Sequence, residues 1–103
     1  MLSKKELFNA RSASEKLEAG LEIPVVNVGT YDDTDKDGHP VKVSVLVAED
    51  GTVYAGISST VAESIPMLDE LIEEARANNE VVTVEVMVRK SSNGRDFTQL
   101  RVL

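Results

Sequence analysis

Cysteine and tryptophan are absent from this chain of 103 residues, and histidine occurs once, as His39. Without thiols there can be no disulfides and no thiolate chemistry, and a reducing compartment is compatible with the composition. One histidine and no cysteine leave too few ligands for a structural zinc site. Aromatic side chains are scarce: Phe8, Tyr31, Tyr54 and Phe97 complete the set. Basic residues are outnumbered, 11 Lys and Arg against 18 Asp and Glu, for a net charge of −7. That balance favours solubility and argues against duplex DNA held by phosphate contacts alone. No apolar run approaches the ~18 residues of a membrane span. The N-terminal stretch has no continuous apolar core, so neither a secretory signal nor a membrane contact is expected. At this length one domain is expected, burying roughly 65% of the surface of the unfolded chain.

What the chain does contain is organised around Glu49 to Ala77. Asp50-Gly51 predicts a two-residue hairpin turn, because glycine takes a positive φ without a steric penalty. Val53, Ala55 and Ile57 then alternate with Thr52, Tyr54 and Gly56, the period of a half-buried strand. Thr60 and Glu63 have the spacing of a capping box. Val61, Ile65, Leu68, Ile72 and Ala75 follow at helical spacing, predicting a helix over 60–77. Pro66 should kink it or restart it after a short first turn. Glu63, Asp69, Glu70, Glu73 and Glu74 make its outer side a solvated acidic face.

Ahead of this unit, residues 3–19 read as a helix with a thin apolar stripe, stopped by Gly20. A helix this short is not stable alone. It is therefore an arm, residues 1–20, attached to a domain of residues 21–103. The arm either packs as a terminal segment or joins the protein to a partner, including a homo-oligomer through this helix. Residues 22–31 are β-rich, with Pro24 at a strand start or edge and Gly29 at a bulge or bend. A polar loop, 32–40, leads to a clean alternation over 41–48. There Val41, Val43, Val45 and Val47 are expected to face the core, and Lys42, Ser44, Leu46 and Ala48 to face out. By the same parity Tyr54 is expected to face out. Val82, Val84, Val86 and Val88 face in over 81–90, opposite Thr83, Glu85, Met87 and Arg89. Ser91 to Gly94 form a turn ending in Asn-Gly, and residues 95–103 form the last strand.

After the N-terminal helix the order is thus three strands, a helix and two strands. That order, in a mainly β chain of this size, matches the five-stranded OB-fold barrel, whose helix plugs one end. OB folds bind oligonucleotides on the face of their second and third strands, flanked by two loops. A ring on that face can stack a base for ~1–3 kcal/mol with little regard to sequence. Tyr54 is the first candidate. Lys42, Arg89, Lys90 and Arg95 are the basic side chains near the same face, with Arg101 beyond them. The acidic loop at one lip of this groove works against nucleic acid.

No catalytic constellation is visible, so no enzymatic activity and no cofactor are expected. Asp33, Asp35 and Asp37, followed by Gly38, repeat the first half of a calcium loop. The twelfth position, which needs a bidentate Glu, holds Ser44 instead. A plain polar turn is the favoured reading, with weak cation binding at those three aspartates the alternative.

The segment from Gly51 to Glu63, with its Ile57-Ser-Ser-Thr60-Val-Ala-Glu63 corner and the apolar-acidic helix after it, resembles the single-stranded DNA-binding proteins of small protein-primed bacteriophages that infect Gram-positive hosts. In that family a Tyr-containing strand runs into an I-S-K-T-V-A-E corner, a helix, and two strands split by a Ser-Lys-Gly-type turn. Lys90 to Gly94, before Asp96-Phe97, occupies the place of that turn. The resemblance covers residues 41–103. Ser59 stands where the family pattern has Lys, removing one basic contact. The resemblance implies sequence-independent binding of single-stranded DNA during phage replication in the host cytoplasm. It also implies stacking on Tyr54, with Tyr31 and Phe97 as further candidates. A protein-interaction module using the barrel face or the N-terminal helix is the rival expectation.

Overall fold

A computed structural model describes residues 1–103. In chain order the elements are α1 (Lys4–Ala10), β1 (Glu15–Lys16), β2 (Glu22–Thr34), β3 (Pro40–Ala48), β4 (Val53–Gly56), α2 (Ser59–Ala77), β5 (Val82–Lys90) and β6 (Asp96–Val102). All six strands form one sheet in the order β1-β4-β3-β2-β5-β6. Neighbours are antiparallel except the two-residue β1, which runs parallel to β4. The sheet curls around α2, so its two edges approach each other without pairing. Ser58 Oγ donates to the Thr98 carbonyl at 2.8 Å across the gap. Without β1, the order of strands and helix is the one expected; the barrel is open, and a sixth strand lies on its edge.

Three hairpin turns share one construction. In each, a backbone N–H bonds the carbonyl four residues on, and a glycine N–H returns to the first residue's carbonyl: Asp35 with His39 and Gly38, Ala48 with Thr52 and Gly51, Ser91 with Arg95 and Gly94. The glycines hold φ of 82°, 92° and 77°. This is the three-residue loop with a left-handed last position. The Asp50-Gly51 turn is therefore one residue longer than a two-residue turn, with glycine closing it.

The main core lies between α2 and the sheet. Val61, Ile65, Leu68 and Ile72 of α2 pack against Ile23, Val25, Val28, Leu46, Ala48, Val84 and Val86. Burying such side chains contributes about 1.5–3 kcal/mol each before entropy is counted. Leu46 and Ala48 thus face this core, the reverse of the expected parity of β3. Val43 and Val45 face the opposite side, where Leu2 and Ala10 of the N-terminal arm cover them. Both faces of β3 are apolar, so alternation alone does not say which one meets the helix. Tyr54 pairs with Leu46 across β3 and β4 and turns toward the main core with it.

The first helix is also shorter than the expected 3–19. Ser3 and Glu6 form its capping box, and it ends at Ala10. Beyond it the chain extends past the sheet edge, and Leu17 packs against the main core. A side chain at Gly56 would meet Leu17 Cδ1 at 3.1 Å, so Leu17 fills the space that glycine leaves. A continued helix could not carry Leu17 from the arm's face of the sheet to the core's.

Helix α2 is capped by Ser58, whose Oγ accepts from the Val61 N–H at 3.4 Å, rather than by Thr60 and Glu63. It runs unbroken through Pro66, without the expected restart. Ile65 and Leu68, on either side of Pro66, are both buried, and this anchoring offsets the missing backbone bond.

Candidate nucleic-acid interface

The gap between the sheet edges is a cleft of about 720 Å³. Lys16 and Leu17, the Ala55–Ser59 corner, Val88, and Asp96, Phe97 and Thr98 line it. Ile57 is 60% exposed and Val88 50%, so these apolar side chains face solvent. Phe97 is half-buried and lies opposite Arg89 in the β5–β6 ladder.

Arg89, Lys90 and Arg95 cluster at the tip of this hairpin, all exposed. None has a carboxylate within ion-pairing distance, whereas Arg11, Lys42, Arg76 and Arg101 each do. Three charges of one sign, close together at the hairpin tip and unpaired, make a local positive field on a negative protein. Asp96, opposite Lys90, is the one acid lining the cleft.

The tip of the β2–β3 hairpin is acidic and lies at the other end of the sheet. β2 pairs with β5 only through Glu22–Val25 at its start. The two strands are antiparallel, so Thr34 and Lys90 lie in opposite directions from that contact. The acidic loop is not a lip of the cleft. Within it, Asp35 Oδ1 accepts the Asp37 and His39 N–H groups, each at 2.9 Å. Asp35, Asp37 and His39 bring ligand atoms within 4.8 Å of one another. Asp33 is not part of that group; it accepts the Thr34 N–H at 2.8 Å and lies 3.8 Å from Arg11. The calcium-loop trio of Asp33, Asp35 and Asp37 is thus split, because Asp33 still belongs to β2.

The remaining expected site residues are dispersed. Lys42 lies 3.6 Å from Asp32, an exposed pair of little energetic weight. Tyr54 is half-buried against the main core. Tyr31 sits on the opposite face, beside Leu7, Phe8 and Arg11 of the arm, with the Arg11 guanidinium 5.6 Å from its ring centroid. Burial pushes the Tyr31 phenol above its ordinary value; nearby Asp33 adds to this and Arg11 opposes it. The sheet therefore separates the two tyrosines, and a ligand on one face reaches only one of them. Phe97, Arg89, Lys90 and Arg95 are the members of the expected set that the fold brings together.

The family model for phage single-stranded DNA-binding proteins matches residues 2–103. The chain belongs to that family. The single-stranded DNA-binding protein of Bacillus phage PZA is 31% identical to it over 104 residues, covering 94% of this chain and 82% of the phage protein. No solved structure matches the chain. No helix is long and apolar enough to cross a membrane.

In this family member, Lys16, Leu17, Ile57 and Val88 are the cleft residues that pattern reading missed. Lys16 and Leu17 fall in the stretch read as helix. Ile57 and Val88 have the parity of core residues, and only the open sheet leaves them exposed. The signal available was the run Val88-Arg89-Lys90, where an inward valine adjoins two cations.

Proposed function

We propose that this chain binds single-stranded DNA without reading its sequence, as a non-catalytic protein of phage replication acting in the cytoplasm of the bacterial host. The backbone is tracked by Arg89, Lys90 and Arg95, and a base stacks on Phe97. The observation that carries this reading is the cluster of three unpaired cations beside a half-exposed ring, in a chain of this family. Sequence independence follows from the chemistry, because phosphates and π-faces are common to every nucleotide.

Residues 21–103 act as an OB-type barrel left open on one side; the arm's first ten residues fold on its outer surface, and Glu15–Lys16 extend its sheet edge. Tyr54 anchors β4 on the core, and Lys42 serves the opposite end of the sheet.

Fluorescence anisotropy of labelled oligo-dT, oligo-dA and a mixed sequence tests the reading. The expected result is similar affinity for all three, falling at least about twentyfold as salt rises from about 50 to about 200 mM, for the three hairpin cations at ~0.7 per phosphate contact. No binding to any of them, at either salt, would sink the proposal.

A further inference from the structure

We propose that the single strand lies in the open cleft between β4 and β6, with Lys16, Ile57 and Val88 as contacts, and not on the outer face of β3 and β4. This rests on the single-stranded DNA reading above.

The outer face is the platform on which OB folds usually hold oligonucleotides. Here the chain covers it with its own N-terminus. Leu2 and Ala10 are buried there, with Leu7 beside them, against Val43 and Val45. The Leu2 N–H donates to the Val28 carbonyl at 2.8 Å, and the Met1 amine lies 3.0 Å from Asp69. A side chain at Gly29 would meet Leu7 Cδ2 at 3.0 Å and Leu2 Cβ at 3.1 Å, so the arm is seated closely. A base can reach that face only after this packing is undone.

The cleft needs no such opening. Ser58 Oγ to the Thr98 carbonyl is the one hydrogen bond between the β4–α2 corner and β6. Its volume of about 720 Å³ lies within the range of roughly 300–1,000 Å³ typical of ligand sites. Ile57, just past β4, and Val88 of β5 both offer apolar surface to bases in the cleft, and Phe97 offers a ring. Lys16 lines the cleft on the β1 side; Arg89, Lys90 and Arg95 do not line it but adjoin Val88 and Asp96, which do. The unpaired edge of β6 adds backbone donors that a protein ladder would otherwise occupy. Asp96 opposes the phosphates, which places the bases, not the backbone, against its part of the wall.

Amide shift mapping of the intact protein with unlabelled oligo-dT tests the route directly. The expected shifts fall on Lys16, Ile57, Ser58, Val88 and Thr98, and spare Gly29, Val43 and Val45. Shifts confined to the latter three would overturn the cleft and leave DNA binding standing. Ile57→Asp and Val88→Asp change exposed side chains, so native melting is the check that the fold survives. Each should weaken oligo-dT binding about tenfold or more, while Phe8→Asp on the arm stays within about twofold. Lys16→Glu should lower the salt slope by about 0.7, one contact. Wild-type affinity in both cleft variants, with loss in Phe8→Asp, would place the strand on the outer face. A wild-type protein that ignores oligo-dT altogether overturns the cleft together with the function beneath it.

Discussion

The β2–β3 and β5–β6 hairpins end in the same turn and carry opposite charge. Both close with one backbone bond across four residues, one back to the first residue, and a glycine in the left-handed region. Each also uses a side-chain oxygen of the first residue: Asp35 Oδ1 accepts from the His39 N–H, and Ser91 Oγ from the Arg95 N–H. Around that common frame one tip places Asp32, Asp33, Asp35 and Asp37, and the other Arg89, Lys90 and Arg95. The backbone of such a turn is fixed by glycine and hydrogen bonding; Asp35 takes part in that frame, whereas Arg89, Lys90 and Arg95 lend it no side-chain bond. Under the proposed reading, the basic tip is the one that meets the polyanion.

The strongest way to break the comparison is to make the two tips alike. Changing Arg89, Lys90 and Arg95 together to Glu should weaken oligo-dT binding by about two orders of magnitude or more at low salt, since contacts become repulsions. Circular dichroism and melting should stay near wild type, because none of the three is buried or paired. A milder change comes from the acidic end. Asp32→Asn with Asp37→Asn should raise affinity only about twofold at low salt and not at all at high salt, since screening acts over about 10 Å at 0.1 M.

The shared frame makes a prediction of its own. Gly38→Ala and Gly94→Ala should each cost about 1–2 kcal/mol in chemical denaturation, by nearly equal amounts. A Cβ at either position has nothing within 4 Å, so the cost is conformational and not a clash. Unequal losses would show that the turns are not equivalent.

The smallest effect is at Tyr31, near the acidic tip. Its phenol is raised by burial, then by Asp33, against the pull of Arg11. Its folded value lies above the unfolded one, so the stability tied to it is present below pH ~10 and is lost as pH rises through the folded value. Asp33→Asn should lower that value in an absorbance titration of the phenol. At the Ala48–Thr52 turn the Asp50 carboxyl is held below its ordinary value by the Thr52 N–H, 2.9 Å away. Its contribution runs the other way, present above pH ~4 and lost as pH falls through the folded value.

Much of this fold is legible from periodicity. The strands over 41–48 and 81–90, the helix through Ala77 and the turn at Ser91–Gly94 all follow from alternation, helical spacing and glycine placement. The inward parity of Val84 and Val86 holds because Glu85 and Arg89 leave only one apolar face. On β3 both faces are apolar, and only the docking of Leu2 and Ala10 decides which one α2 covers. No local pattern carries that information. The same applies to residues 11–17, where the weak helical stripe gives way to a turn and the two-residue β1, and Leu17 fills the space over Gly56. In the candidate site, the hairpin cations are named from their closeness in sequence and Phe97 from the family resemblance. Lys16, Ile57 and Val88 come from three distant segments that meet only because the barrel stays open.

The salt dependence of oligo-dT affinity in wild type and in the Arg89→Ala, Lys90→Ala, Arg95→Ala triple variant tests the central claim most directly. The basic tip contributes about −2 to the wild-type slope, and the variant should lose that much, keeping only the share of about −0.7 from Lys16. An unchanged slope in the variant would contradict it, because the phosphates would then be held elsewhere.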